Sequence, residues 1–162
     1  MDPTHPDFYG WPNDSDLEPN STPSLAVVFP CGSDEVVTNP TLYRQMCPSR
    51  DNYTNGFMNL LICPAGERDL YSIYLLAGES VYFNLLYLYQ PSTWQMDIDL
   101  TVWHWDDQMQ QLVEIATADT VSNNDTLSIT ATDEGWYYAD VHGKTTADIN
   151  YYTISFTLNP GP

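Results

Sequence analysis

The chain has 162 residues, of which 43% are hydrophobic, and 22 acidic side chains against 4 basic ones give it a net charge of −18. That apolar share supports one buried core and excludes wholesale disorder. The charge repels nucleic-acid phosphates and anionic lipid, so neither partner is expected.

In chain order, residues 1–23 read as an extended arm. Prolines at 3, 6, 12, 19 and 23 disfavour both helix and central strand, and Phe8, Tyr9 and Trp11 form an apolar cluster within it. Met1-Asp2-Pro3-Thr4-His5 has neither the basic start nor the apolar run of a leader. Leu25–Phe29 predicts a first strand, stopped by Pro30, and residues 31–56 predict a long irregular loop. Cys31, Cys47 and Cys63 form no CxxC pair, which argues against zinc. One disulfide with one cysteine left over suits an oxidising compartment, and all three pairings stay open.

Phe57–Ile62 predicts the next strand. Asp69–Tyr87 then holds two period-two runs, with Tyr71, Ile73 and Leu75 on one face of the first and Val81, Phe83, Leu85 and Tyr87 on one face of the second. Gly78 lies between them, which predicts a hairpin. Ile98, Leu100 and Val102 alternate with acids and threonine up to a turn at Asp106-Asp107. Leu112–Ala116 is a short strand. Asp119, Asn123, Asn124 and Asp125 read as a solvated loop, and Leu127, Ile129 and Ala131 as a further strand face. Trp136–Val141 follows, and Tyr152, Ile154, Phe156 and Leu158 close the domain. No run shows a helical period, and none approaches the roughly 20 apolar residues of a membrane helix, so no membrane insertion is expected. The expected fold is all-β, a two-sheet antiparallel sandwich of jelly-roll type over residues 24–162. Twelve tyrosines and 5 tryptophans beside a single lysine, Lys144, suggest a secreted, extracellular protein.

Several of these segments also match a family pattern in order. Glu18-Pro19-Asn20-Ser21 followed by Ala26, Asp69-Leu70-Tyr71, Leu76-Ala77-Gly78-Glu79, Asp97-Ile98-Asp99-Leu100, Gly135–Val141 and Tyr151–Ile154 carry it. On these residues the chain resembles the bacterial pre-peptidase C-terminal domain, whose relatives include the collagen-binding domains of clostridial collagenases. The resemblance implies a secreted accessory module that is not itself catalytic. Some members bind calcium, and some bind collagen or other insoluble polymers.

Calcium takes six to eight oxygen ligands, and residues two apart in an extended arm point the same way. Asp16, Glu18 and Asn20, with Glu67 and Asp69, are therefore the candidate calcium ligands, in line with the arm used by calcium-binding relatives. Asp97 and Asp99 form a second acidic pair on one strand face. The aromatic residues Trp103, Trp105, Tyr137 and Tyr151, with Tyr74 and Tyr82, are expected on outer or edge faces. There they would contact an extracellular polymer or protein, collagen-like or polysaccharide. His104, between Trp103 and Trp105, reads as packing or surface stacking. No GxSxG, HExxH or P-loop pattern is present, and no catalytic residue is assigned. The rival expectation is self-assembly, in which the N-terminal arm adds a strand to another copy of the chain in a filament or surface layer.

Overall fold

The computed structural model describes residues 20–29, 50–62, 66–90 and 96–161, apart from the side chains of Met58 and Asn59. Most of the N-terminal arm, much of the expected loop and all three cysteines lie outside these residues. The described residues form nine strands: β1 (Val27–Val28), β2 (Tyr53–Ile62), β3 (Arg68–Leu75), β4 (Ser80–Tyr87), β5 (Ile98–Asp106), β6 (Gln111–Ala118), β7 (Asn124–Thr130), β8 (Gly135–Gly143) and β9 (Asn150–Leu158). A five-stranded sheet runs β1-β3-β8-β5-β6, and a four-stranded sheet runs β2-β9-β4-β7. Neighbours are antiparallel, except that β1 runs parallel to β3. This is the expected all-β two-sheet sandwich. Among the described residues no helix is long and apolar enough to cross a membrane.

Period-two alternation places the core. Tyr71, Ile73 and Leu75 from β3 meet Val81, Phe83 and Leu85 from β4, each fully buried, with Ile98, Leu100 and Val102 from β5 beside them. Phe29, just past β1, sits at the centre. Its ring lies 4.7 Å from Phe156, 5.4 Å from Tyr71 and 6.1 Å from Phe83, so it touches rings from both sheets. Burying an aromatic side chain of this kind stabilises by about 1.5–3 kcal/mol.

Two expectations are corrected. First, β3 and β4 are not a hairpin, because β3 pairs with β8 while β4 pairs with β7 and β9. Residues 76–79 instead arch from one sheet to the other. Both runs carry a fully apolar face, and stacked sheets lie about 10 Å apart, so the arch lets those faces pack against each other while other strands satisfy the backbone. Gly78 takes φ 86°, a conformation that disfavours a Cβ. Its N–H donates to Ala131 O at 2.8 Å, and Ala131 N–H donates to Glu79 O at 2.8 Å. Arg50 clamps the arch: Nε and Nη2 donate to the two Glu79 carboxylate oxygens at 2.5 and 2.6 Å, and Nη2 also reaches Tyr74 O at 2.8 Å. Second, β2 starts at Tyr53, inside the loop expected over 31–56, because its early residues pair with the end of β9.

Candidate functional site

In β3, β5 and β8 the residues between the core positions project from the outer face of the five-stranded sheet. Strand register sets them in rows. Arg68, His142 and Asp99 form one row, followed by Leu70, Asp140 and Thr101 in the next. Ser72, Tyr138 and Trp103 come next, and then Tyr74 with Trp136. Trp105 on β5 follows Trp103 on the same face. The face is therefore polar, with charges of both signs, at one end and aromatic at the other.

Asp140 anchors its middle. The residue is fully buried, and its carboxylate accepts from Arg68 Nε at 3.2 Å, from Arg68 Nη2 and from Trp103 Nε1 at 2.9 Å. A buried carboxylate is tolerated only with such partners. The hydrogen bond to Asp140 raises the Arg68 guanidinium above its ordinary value against the opposing effect of burial. The guanidinium carbon also lies 5.9 Å from the Trp103 ring centroid. Trp103 is thus held in place by its own chain on both its edge and its face.

Beside it, Thr101 Oγ1 lies 3.1 Å from Thr117 Oγ1 and 3.1 Å from His142 Nε2. His142 Nδ1 lies 3.1 Å from Gly143 O. A cavity of about 400 Å³ opens here, lined among others by Arg68, His142, Lys144, Glu67 and Glu114.

The other end of the face is different in character. Tyr74 and Trp136 meet edge-on at 5.3 Å, and Tyr74 OH donates to Glu134 Oε1 at 2.8 Å. His104 stacks on the buried Tyr137 at 4.3 Å, so of the two expected readings it is packing. Gly135 makes room for that stack, since a Cβ there would lie 2.8 Å from His104 Nε2.

The expected aromatic set does not share one surface. Trp103 and Trp105 lie on the outer face described above, half-buried. Tyr137 does not: it is 1% exposed and faces the core, its hydroxyl donating to Asp133 O at 3.0 Å. Four consecutive apolar residues, Trp136–Ala139, hide which alternate set faces inward, and small Ala139 and Val141 share the inner side with Tyr137. Tyr151 is half-buried on β9, and Tyr82 is exposed on β4, so both belong to the other sheet. Trp136, Tyr138, Asp140 and Arg68 were not singled out from the sequence. The signal for Trp136, Tyr138 and Asp140 is the alternate set on β8, readable only once Tyr137 is known to point inward; Arg68 is reached from there through its pairing with Asp140.

Of the five candidate calcium ligands, Asp16 and Glu18 lie outside the described residues. Asn20 is fully buried, and its carbonyl accepts from Leu70 N at 3.1 Å, which sets the end of the arm against the start of β3. Asp69 is fully buried as well, and its Oδ2 accepts from Tyr152 OH. The Tyr152 hydroxyl also lies 2.5 Å from Tyr71 OH. Burial, followed by the neighbouring Tyr71 and Asp69, pushes the Tyr152 phenol well above its ordinary value. Glu67 is half-buried at the mouth of the 400 Å³ cavity. Among the described residues no three His, Cys, Asp or Glu side chains group as a metal site.

The second acidic pair sits near a cation supplied by the chain itself. Asp97 accepts from Tyr87 OH at 2.8 Å, and its Oδ2 lies 3.5 Å from Lys144 Nζ. Asp99 Oδ1 is buried without a hydrogen-bond partner. Burial first, and the nearby Asp97 second, push its carboxyl up to about 6. Asp125, expected in a solvated loop, is fully buried and accepts from Thr120 N at 3.1 Å. Its neighbour Asn123 accepts from Tyr87 N and Tyr89 N at 3.0 Å, so the stretch closes the end of the sandwich.

The chain is thus a two-sheet β-sandwich with one polar and aromatic outer face. Among solved structures it is similar to the pre-peptidase C-terminal domain of a collagenase from Bacillus anthracis, at 13% identity and TM-score 0.43 over 67% of this chain and 89% of that one. It is also similar to PliG, a periplasmic inhibitor of g-type lysozyme. The Salmonella Typhimurium protein matches at 12% identity and TM-score 0.43 over 68% of this chain and 90% of that one. The Aeromonas hydrophila protein matches at 9% and 0.42 over 65% and 82%. No protein-family model and no curated protein matches the sequence.

Proposed function

We propose that this chain is a non-catalytic, secreted binding module that engages an extracellular polymer or protein through the outer face of its five-stranded sheet. The observation that carries this reading is the set of half-buried rings Tyr74, Trp105 and Trp136 that line one cavity on this face, Tyr74 and Trp136 meeting edge-on. Rigid aromatic side chains offer large contact area at low entropic cost. Calcium would tie the arm to the sandwich through Asp16, Glu18, Asn20, Glu67 and Asp69. The abutment of Asn20 on Leu70 and the two buried oxygen-bearing side chains there support that placement.

The test is co-sedimentation of the intact chain with insoluble collagen, chitin, cellulose and peptidoglycan, repeated with Trp105→Ala and Trp136→Ala. Binding to one of these that drops about tenfold in either variant is expected from loss of an aromatic anchor. Unchanged binding in both would move recognition off this face. For calcium, calorimetric titration with melts in chelator should give a melting-temperature rise that Glu18→Ala abolishes, as ligand binding to the native state requires. Absence of heat and of a shift would remove the metal from the account.

A further inference from the structure

The four-stranded sheet, on the opposite side of the sandwich, differs from its partner in charge. β2, β4 and β9 contain no charged residue, and the single acid of β7, Asp125, pairs with buried Leu85 and is itself fully buried. Yet the chain as a whole is 16% charged, and each of β3, β5, β6 and β8 in the other sheet carries an acid or a base. The outer face of β2, β9, β4 and β7 is therefore an uncharged surface on a protein of net charge −18. We propose that this face binds an extended chain of a neutral polysaccharide.

Chemistry, charge and area select that occupant. Register sets Thr54, Thr157, Tyr82 and Ser128 in one row across all four strands, with Ser155, Asn84 and Thr126 in the next. Thr54, Tyr82, Thr126 and Ser128 are exposed. Hydroxyl and amide groups both donate and accept, as sugar hydroxyls do, so the two surfaces match without any charge. Thr54 Oγ1 lies 2.8 Å from Thr157 Oγ1, so one hydroxyl of the pair donates to the other and the second proton is left to point outward. Tyr82, 36% exposed in the middle of its row, adds a ring for the apolar face of a sugar. An anionic partner is repelled by the overall charge, and a cationic one finds its counter-charges elsewhere on the surface. A second copy of the chain meets the same repulsion. Four strands about 4.8 Å apart, each about seven residues long, make a face of roughly 450 Å², and a stable protein interface needs about 800 Å² on each side. An oligosaccharide laid across the rows needs no more than this area.

The test is calorimetric titration of the intact chain with cellohexaose, mannohexaose and chitohexaose, and with hexagalacturonate as an acidic counterpart. At least one neutral hexasaccharide binds and the acidic one does not. Tyr82→Ala weakens that binding about tenfold, the size expected for loss of an aromatic anchor. Ser128→Lys, which lays a long charged side chain beside Tyr82, weakens it as much. Trp105→Ala, on the opposite face, changes it about twofold or less, as distant sites act independently. Melting curves verify that each variant folds, and the exposed Ser128→Lys keeps the result readable if Tyr82→Ala does not. No binding of any neutral hexasaccharide overturns the proposal, as does equal binding of hexagalacturonate. Unchanged binding in both Tyr82→Ala and Ser128→Lys moves the site off this face, and an equal loss in Trp105→Ala moves it to the aromatic one. A dimer in sedimentation that Ser128→Lys dissociates gives the face to a second copy and also overturns it.

Discussion

Replacing Asp99 with asparagine is expected to stabilise the protein at neutral pH and leave it nearly unchanged in acid. Asp99 is 5% exposed, its Oδ1 accepts nothing, and Asp97 lies on the same strand face. Burial and then that neighbour raise its carboxyl from 3.8 to about 6, with Lys144 and His142 opposing. The folded-state value lies above the unfolded one, so the unfolded chain gives up this proton first. Stability is therefore full below about pH 4 and is lost as pH rises toward 6 and above. At about 1.4 kcal/mol per pH unit, the loss is at most about 3 kcal/mol, and solvent at the sandwich end reduces it to about 1–3 kcal/mol. Asparagine keeps the shape and has no charge to bury. In a chain of this size the gain corresponds to a melting temperature higher by about 3–10 °C at pH 7.5. Calorimetric melts at pH 3.5 and 7.5 test it, with the exposed Asp119→Asn as control for the loss of one charge. The reasoning fails if Asp99→Asn gives the same shift at both pH values, or if Asp119→Asn matches it.

Other expectations follow from the same geometry. Arg50→Ala should lower stability by about 2–4 kcal/mol in urea unfolding, because it strands the Glu79 carboxylate, and the double variant with Glu79→Ala should cost less than the sum of the singles. Burial raises the Glu79 carboxyl, but hydrogen bonds from Arg50 and Leu76 outweigh it and hold the group below 4.5, so the contribution is present above that pH and fades as pH falls. Tyr152→Phe should cost about 1–3 kcal/mol, since buried Asp69 Oδ2 loses its donor; a change near zero would mean that another group replaces the phenol. Gly56→Ala would place a Cβ 2.2 Å from the Ile154 carbonyl oxygen. It should cost about 3 kcal/mol or more and separate β2 from β9, read as loss of amide protection in both strands.

The inward series was legible wherever apolar and polar residues alternate. Tyr71–Leu75, Val81–Tyr87, Ile98–Val102 and Tyr152–Leu158 each put the expected side chains in the core. The arch was not legible, because a glycine between two period-two runs satisfies hairpin and arch alike, and the choice depends on which strands arrive later in the chain to pair. Gly135–Gly143 was ambiguous for another reason. As a central strand it is covered on both sides over most of its length, so burial does not alternate, and Tyr137 exchanged faces with Trp136 and Tyr138. Asp140 was invisible as an anchor because nothing in its local sequence announces Arg68, which lies 72 residues earlier.

Two of the scarce cations lie at one end of the outer face. The chain has only 4 lysines and arginines, yet Arg68 and Lys144 both line the cavity at one end, beside His142. Among the described residues, the cavity at the other end is lined by acids and rings and by neither lysine nor arginine. Between them, Asp140 holds Arg68 over Trp103 and so fixes the boundary. Neither cation at the first end stands alone: Asp140 holds Arg68, Asp97 Oδ2 lies 3.5 Å from Lys144 Nζ, and Glu67 and Glu114 line the same cavity. The scarce cations are therefore used to compensate carboxylates that the fold buries, and they leave the sign of the surface unchanged.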